Sequence, residues 1–430
     1  MTLWFIRAFA WMDRSLRTRL VKPSIATIFG ALLVFVTFPN AWGQSASTGS
    51  TPIVKIRTLQ IDAWARPGVG QFVPADDDVP HLVYELFVTS WHYTKELRFA
   101  AVDVEDAATG KRLARFDSKG LEDPFTLRIT QYPGKAGPAN RLLPAGRTAI
   151  ITLDVKLPPG ASLPGAVRHR IRFESDPTLQ LIQDDGSLSS ELISFSEPLP
   201  INRTRPLVIG APLRGGPWRC ANGLGHGNSH GWIGATEKIA RMYVAQRFGC
   251  DFSKVDANGD VLPSPFPNII SNSMFYGYGA DVIAVADGRV VIAQDGIPEN
   301  VPQIDGRVIP PFPLTDRTYP GNMVVLEIGK GQYAFFAHLQ PGSLRVKQGD
   351  RVREGQLLGK VGNAGNSVGP HLHFHICNGP GPNSCDPVPH VYRSYWLSGY
   401  ARDGKPDPAK RRRIDFKVPT DGSFMTFPSK

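Results

Sequence analysis

The chain has 430 residues, long enough for two or three domains, and its 42% hydrophobic and 20% charged residues are those of a globular protein rather than a disordered one. The 43 glycines and 38 prolines exclude an architecture of long helices and point to mainly β structure. A formal net charge of +10 and a pI of about 9.5 favour anionic surroundings, yet the basic residues are dispersed and cluster only at Lys410–Arg413, so no nucleic-acid partner is expected.

In chain order, residues 1–43 read as an export signal: basic residues from Arg7 to Lys22, an apolar run from Ile25 to Phe38, and small residues at Ala41 and Gly43. The apolar run is shorter than the roughly 20 residues a spanning helix needs. Cleavage after Gly43, with no stable membrane span and a periplasmic or extracellular location, is therefore the expectation. Export also changes how cysteines are read, because an oxidising compartment lets them pair. The turn-rich CNGPGPNSC favours a Cys377–Cys385 bridge, whereas pairing of Cys220 with Cys250 stays open. No CxxC spacing occurs, which argues against a four-cysteine zinc site.

After a Ser/Thr/Gly linker at residues 44–51, residues 52–204 carry short apolar or alternating runs such as HLVYELFVTSW, RTAIITLDVKL and AVRHRIRF, separated by Pro, Gly and Asp turns. They predict a β-sandwich-like domain of roughly immunoglobulin size. Its scattered His81, His92 and His169 read as surface or packing residues. A second β-rich domain is expected over residues 205–400, followed by a basic, solvated tail at residues 401–430. DANGD at Asp256–Asp260 has the start of a calcium loop but lacks the later Glu, so it reads as a hairpin turn. VKQGDRVREGQLLGKVG has the look of a carrier-domain hairpin without a carrier lysine at a tight turn.

The remaining chemistry lies in GPHLHFHI. His371, His373 and His375 alternate, so on a strand their imidazoles share one face. The bland reading is a His-rich edge strand; the alternative is zinc, for which neutral imidazole is a common ligand. Catalytic zinc needs three protein ligands and an open fourth position, and His230, an acidic residue and one histidine of the HxH strand meet that count.

ADVIAVADGRVV, GNMVVLEI, YAFFAHL and VKQGDRVREGQLLGKVGNAGNSVGPHLHFHI, in that order, resemble the core of the lysostaphin-type, LytM-like zinc metallopeptidases over roughly residues 206–400. The resemblance implies an antiparallel sheet with a groove, one Zn2+, and hydrolysis of peptidoglycan peptides. It places His373 on the metal and His371 and His338 in catalytic positions beside it. The family's compact HxGxD motif is missing; SMFYGYGAD stands in its place, with Tyr278 but no histidine. His230 and Asp251 resemble a long-loop variant of that pair, with His226 and Asp281 as alternatives. His375 is read as lining the groove or supporting a ligand. A LytM-like regulator that has lost catalysis is the alternative function.

Overall fold

The computed structural model describes residues 54–429 apart from 57–58, 67, 69, 92–94, 124–125, 132–134, 137–140, 183–184, 226–229, 231–234, 239–240, 265–269 and 303–307. The expected export signal and linker, His92 and His226 lie outside the described residues. Among those described, no helix is long and apolar enough to cross a membrane.

The structure is mainly β, with an N-terminal β domain and a larger antiparallel sheet behind it. Two six-stranded sheets build the first part. One runs Ile61–Ala65, Pro80–Ser90, Thr148–Lys156, Leu127–Gln131, Lys135–Ala136, with Phe72–Pro74 added on Pro80–Ser90. The other runs Leu192–Phe195, Ala166–Phe173, Leu97–Asp106, Arg112–Asp117, with Leu142–Leu143 and Leu199–Pro200 attached. Their inner faces share one apolar cluster, in which Leu82, Tyr84, Leu86 and Val88 meet Phe99, Val102, Val167 and Ile171. Each such side chain contributes about 1.5–3 kcal/mol of burial before chain entropy is counted. His169 is a packing residue here, its Nε2 bonded to Tyr84 OH at 2.7 Å and its ring held neutral by burial.

Pro80–Ser90 is buried on both faces. Val83 joins Val73, Ala75, Leu224, Phe248 and Val418 in a second cluster that spans the sandwich and the larger sheet. Glu85, on the same outward face, forms a two-point ion pair with Arg247, Nε to Oε1 being 3.0 Å. Asp76 is fully buried; its carboxylate accepts from the Thr420 N–H and hydroxyl, Ser423 Oγ and Tyr395 OH at 2.7–3.1 Å. These contacts join residues 52–430 into one compact unit.

The larger sheet has eleven strands in the order Leu207–Ile209, His390–Tyr400, Ser423–Phe427, Gly215–Ala221, Cys250–Lys254, Leu372–Cys377, Gln332–Leu339, Asn322–Gly329, Gly288–Gln294, Arg351–Val352, with Arg412–Lys417 beside His390–Tyr400. Residues 401–430, expected as a solvated tail, are thus corrected to two sheet strands. Ile414, Met425 and Phe427 enter the core, and Phe424 is buried on the opposite face, which a tail could not satisfy. The basic cluster is exposed, as expected, but partnered: Arg411 lies over Trp396, Arg412 pairs with Asp78 and Arg413 with Asp415. Both bridges, Cys220–Cys250 and Cys377–Cys385, are formed, with Cα separations of 5.5 and 5.7 Å. DANGD is a turn in which Asp256 Oδ1 accepts from the N–H groups of Asn258 and Asp260.

Candidate metal centre

Leu372–Cys377 lies between Cys250–Lys254 and Gln332–Leu339. In that register Asp251 stands opposite His373, and His373 opposite Ala337. The pleat sends Leu372, Phe374 and Ile376, and likewise Cys250 and Phe252, into the main core. Asp251 and the alternating histidines are left on the other face.

There His373 Nδ1 is 2.8 Å from Asp251 Oδ1, and His230 Nε2 is 3.2 Å from Asp251 Oδ2. One potential ligand atom from each of His230, Asp251 and His373 lies within 4.8 Å of the others. Gly249 permits the approach of His230, since a Cβ there would meet His230 Nδ1 at 3.0 Å and the Gln246 carbonyl oxygen at 2.9 Å. Asp281, the alternative carboxylate, is elsewhere: it is exposed, opens the strand Asp281–Ile283 and pairs with half-buried Lys360 at 3.0 Å.

His338 reaches the same face by a backbone irregularity. Alternation from Ala337 would turn it toward the core, but its φ of 62° and a register shift against Asn322–Gly329 redirect it. Its ring centroid ends 4.9 Å from that of His371 and 5.8 Å from that of His373. His338 Nδ1–H donates to the Ala364 carbonyl at 2.8 Å, and His371 Nδ1–H to the Gly369 carbonyl at 2.8 Å. Both therefore keep Nε2 unprotonated when neutral, and His371 Nε2 is 3.5 Å from Asp251 Oδ1.

The four imidazoles are buried and the Asp251 carboxylate half-buried, and their charges are coupled. Burial alone would raise the Asp251 carboxyl, but His230 and His371 outweigh it and hold it well below the usual range. Burial works against a charged His371, yet Asp251 holds its pKa above 6.5. His338 is pushed well below 6.5 by burial and then by His371 and His373; His373 is lowered by burial despite Asp251.

Several supporting groups escaped sequence reasoning. Asn222, at φ 56°, donates Nδ2–H to Asp251 Oδ2 at 2.8 Å; the Asn-Gly pair at 222–223 was its only signal. Asn300 donates to the Gly365 and Ser367 carbonyls, steadying the loop whose carbonyls hold His338 and His371. Tyr319 lines a recess with His338, His373 and His375. His375 Nδ1 lies 2.9 Å from His373 Nε2, and its ring stacks on Phe335 at 4.4 Å. Tyr278, which occupies the place of the missing histidine, donates to Glu299 at 2.8 Å.

Comparison with known proteins adds the following. Residues 273–387 match the model of peptidase family M23, a span that contains His338, His371, His373 and His375 but begins after His230 and Asp251. Over 58 residues the chain is 40% identical to the peptidoglycan DD-endopeptidase ShyA of Vibrio cholerae serotype O1, a match covering 14% of this chain and only 13% of that relative's length. The catalytic domain of lysostaphin from Staphylococcus simulans is 25% identical, covering 30% of this chain and 86% of that one, at a TM-score of 0.19. A zinc-containing peptidase from Vibrio cholerae is 14% identical, covering 76% and 83%, at a TM-score of 0.23. Residues 273–387, which carry the AHL motif and, near their end, HxHxH, are a peptidase family M23 domain.

Proposed function

We propose that the chain is an exported, zinc-dependent endopeptidase that hydrolyses peptide bonds in the stem or cross-bridge peptides of peptidoglycan. The observation that carries this reading is the convergence of His230, Asp251 and His373 within 4.8 Å, with His338 and His371 on the same face. Two imidazole nitrogens and a carboxylate oxygen match the donor set of catalytic zinc sites, which keep a further position open. Asp251, half-buried and ionised among imidazoles, is a charge that a divalent cation would compensate. When bound, zinc supplies Lewis-acid polarisation of a carbonyl and lowers the pKa of a bound water toward about 7.

The chain's own groups do the positioning and move the protons. Asn222 fixes the Asp251 carboxylate. With His373 Nε2–H donating to His375 Nδ1, His373 turns Nδ1 toward Asp251. His338 and His371, each tied at Nδ1–H to a backbone carbonyl, can accept a proton from the attacking water at Nε2 and return one to the leaving amine. The match to an M23 model and the likeness to a DD-endopeptidase support peptidoglycan as substrate.

Purified sacculi incubated with the chain should release muropeptides, and a chelator should stop the release until zinc is restored. His373→Ala should lose metal, whereas His338→Ala and His371→Ala should keep it and lose activity. Equal loss of metal in all three would overturn the division of roles. A wild-type chain that binds no zinc and releases nothing would favour the regulator instead.

A further inference from the structure

The outer face of the second sandwich sheet is an arginine grid. Ala166–Phe173 alternates, so Val167, His169, Ile171 and Phe173 are buried while Arg168, Arg170 and Arg172 face outward. Register extends the pattern across neighbouring strands. Phe195, Arg170, Asp103 and Arg115 form one row, and Arg168, Glu105 and Arg112 the next. Neighbours within a row are about 4.8 Å apart and alternate residues along a strand about 6.7 Å apart.

The charges on this face do not balance. Arg172, Arg112 and Arg115 all approach the single carboxylate of Asp103, at 3.3, 3.6 and 3.8 Å, and Arg168 pairs with Glu105 at 3.1 Å. Arg170 has no carboxylate among the described residues; its guanidinium lies over the ring of Phe195, and its Nε is buried without a hydrogen-bond partner. Five guanidiniums thus stand against three carboxylates, the third being Asp117 in the row of Arg172, whose Oδ1 accepts from the Gly120 N–H. Phe195 is 51% exposed, an unusual place for a phenyl ring, and Arg168 flanks it at 5.3 Å.

We infer that this face binds the anionic glycan polymer of the wall, peptidoglycan strands bearing stem-peptide carboxylates. The inference rests on the reading of the chain as a peptidoglycan hydrolase. Guanidinium forks match carboxylates in two-point geometry. An exposed phenyl ring between two of them offers an apolar surface to the C–H face of a sugar. Guanidiniums spread along Ala166–Phe173 and Arg112–Asp117, on either side of Leu97–Asp106, suit an extended polymer better than a small ligand. The sandwich would then hold the enzyme on its insoluble substrate while the metal centre works on a separate peptide.

The test is co-sedimentation of the full chain with purified sacculi across a salt series, beside the same sacculi with carboxylates amidated. Arg115→Glu/Arg170→Glu is the informative variant, because Arg170 lacks a carboxylate partner and Arg115 holds the most distant one. Phe195→Ala and Arg170→Gln are milder companions, and circular dichroism and melting temperature establish that each is folded. The double reversal should weaken sacculus binding about tenfold, the scale of two lost and two repulsive surface pairs, while cleavage of a soluble stem-peptide fragment stays within about twofold of wild type. Binding should also fall with added salt and with amidation. Unchanged binding in the double reversal, equal binding to amidated sacculi, or tighter binding to duplex DNA or anionic vesicles would overturn the inference. Loss of sacculus binding in a chain that cleaves no peptide would sink the hydrolase reading and leave the surface standing; normal cleavage with unaltered binding would do the reverse.

Discussion

Glu85→Ala tests the joint between the sandwich and the strand that carries Asp251. The Glu85 and Arg247 side chains are 2% and 3% exposed and meet at two points. Truncating Glu85 leaves a guanidinium buried without a counter-charge, which costs about 3–5 kcal/mol. With an unfolding entropy of about 2 cal/mol/K per residue, a cooperative unit as large as residues 52–430 loses about 5 °C of Tm for 4 kcal/mol. Differential scanning calorimetry at one pH and protein concentration reads this directly. Glu354→Ala is the control: its pair with Arg393 is largely exposed and should be worth less than about 1 kcal/mol. Glu85→Met/Arg247→Met should recover most of the loss, since apolar side chains of similar volume often replace a buried pair without cost. A Glu85→Ala protein melting within about 1 °C of wild type, or a double variant as damaged as the single, would refute the argument that burial sets the penalty.

Three further outcomes are expected. Asp251→Ala should bind zinc at least about tenfold more weakly and be inactive, whereas Asp281→Ala, which loses only an exposed pair with Lys360, should retain metal by elemental analysis. His81 is buried against Asp154 at 2.8 Å and Asp77 at 3.0 Å; burial alone would lower its pKa, but the two carboxylates raise it from 6.5 to about 9. Because the folded value is raised, its stabilisation, on the order of 3 kcal/mol, is complete below about pH 6.5 and fades as pH rises through 9, so urea midpoints should decline over that window and His81→Gln should flatten the decline. Cys377 and Cys385 should resist alkylation until reduced, and replacing both with serine should cost about 2–3 kcal/mol, the scale expected for closing so short a loop.

What could be read from the sequence was what local pattern encodes. Period-two alternation exposes Ala166–Phe173 and the HxHxH strand as elements with two unlike faces, and the motif order supplies the family. His230, Asp251 and His373 stand out as a donor set, and they are the residues whose ligand atoms converge; their metal affinity is what the variants above decide. The support around them was not legible, because it consists of backbone carbonyls at Ala364 and Gly369 and of side chains, Asn222 and Asn300, that look like ordinary turn residues until register fixes their neighbours. His338 was found by motif, but its left-handed backbone has no local signal. The burial of Glu85 and Asp76 has no local signal, since nothing in a single segment announces that another sheet will cover it. The strands after residue 411 were obscured by basic residues whose partners lie hundreds of positions away.

The position of Ser423–Phe427 has a consequence for the order in which the molecule can be made. That strand sits inside the large sheet, between His390–Tyr400 and Gly215–Ala221, and among the described residues it is the link of the strand order between them. A ribosome delivers it roughly 200 residues after the strand it must cover. Until it arrives, Gly215–Ala221 is a bare edge with unpaired amides and carbonyls, and Asp76 lacks the hydroxyls of Thr420 and Ser423. Joining of the sheet half that bears Asp251 to His390–Tyr400 is therefore deferred until synthesis has passed residue 427, and a chain stopped shortly before that point would hold every proposed zinc ligand on a sheet with one edge uncovered.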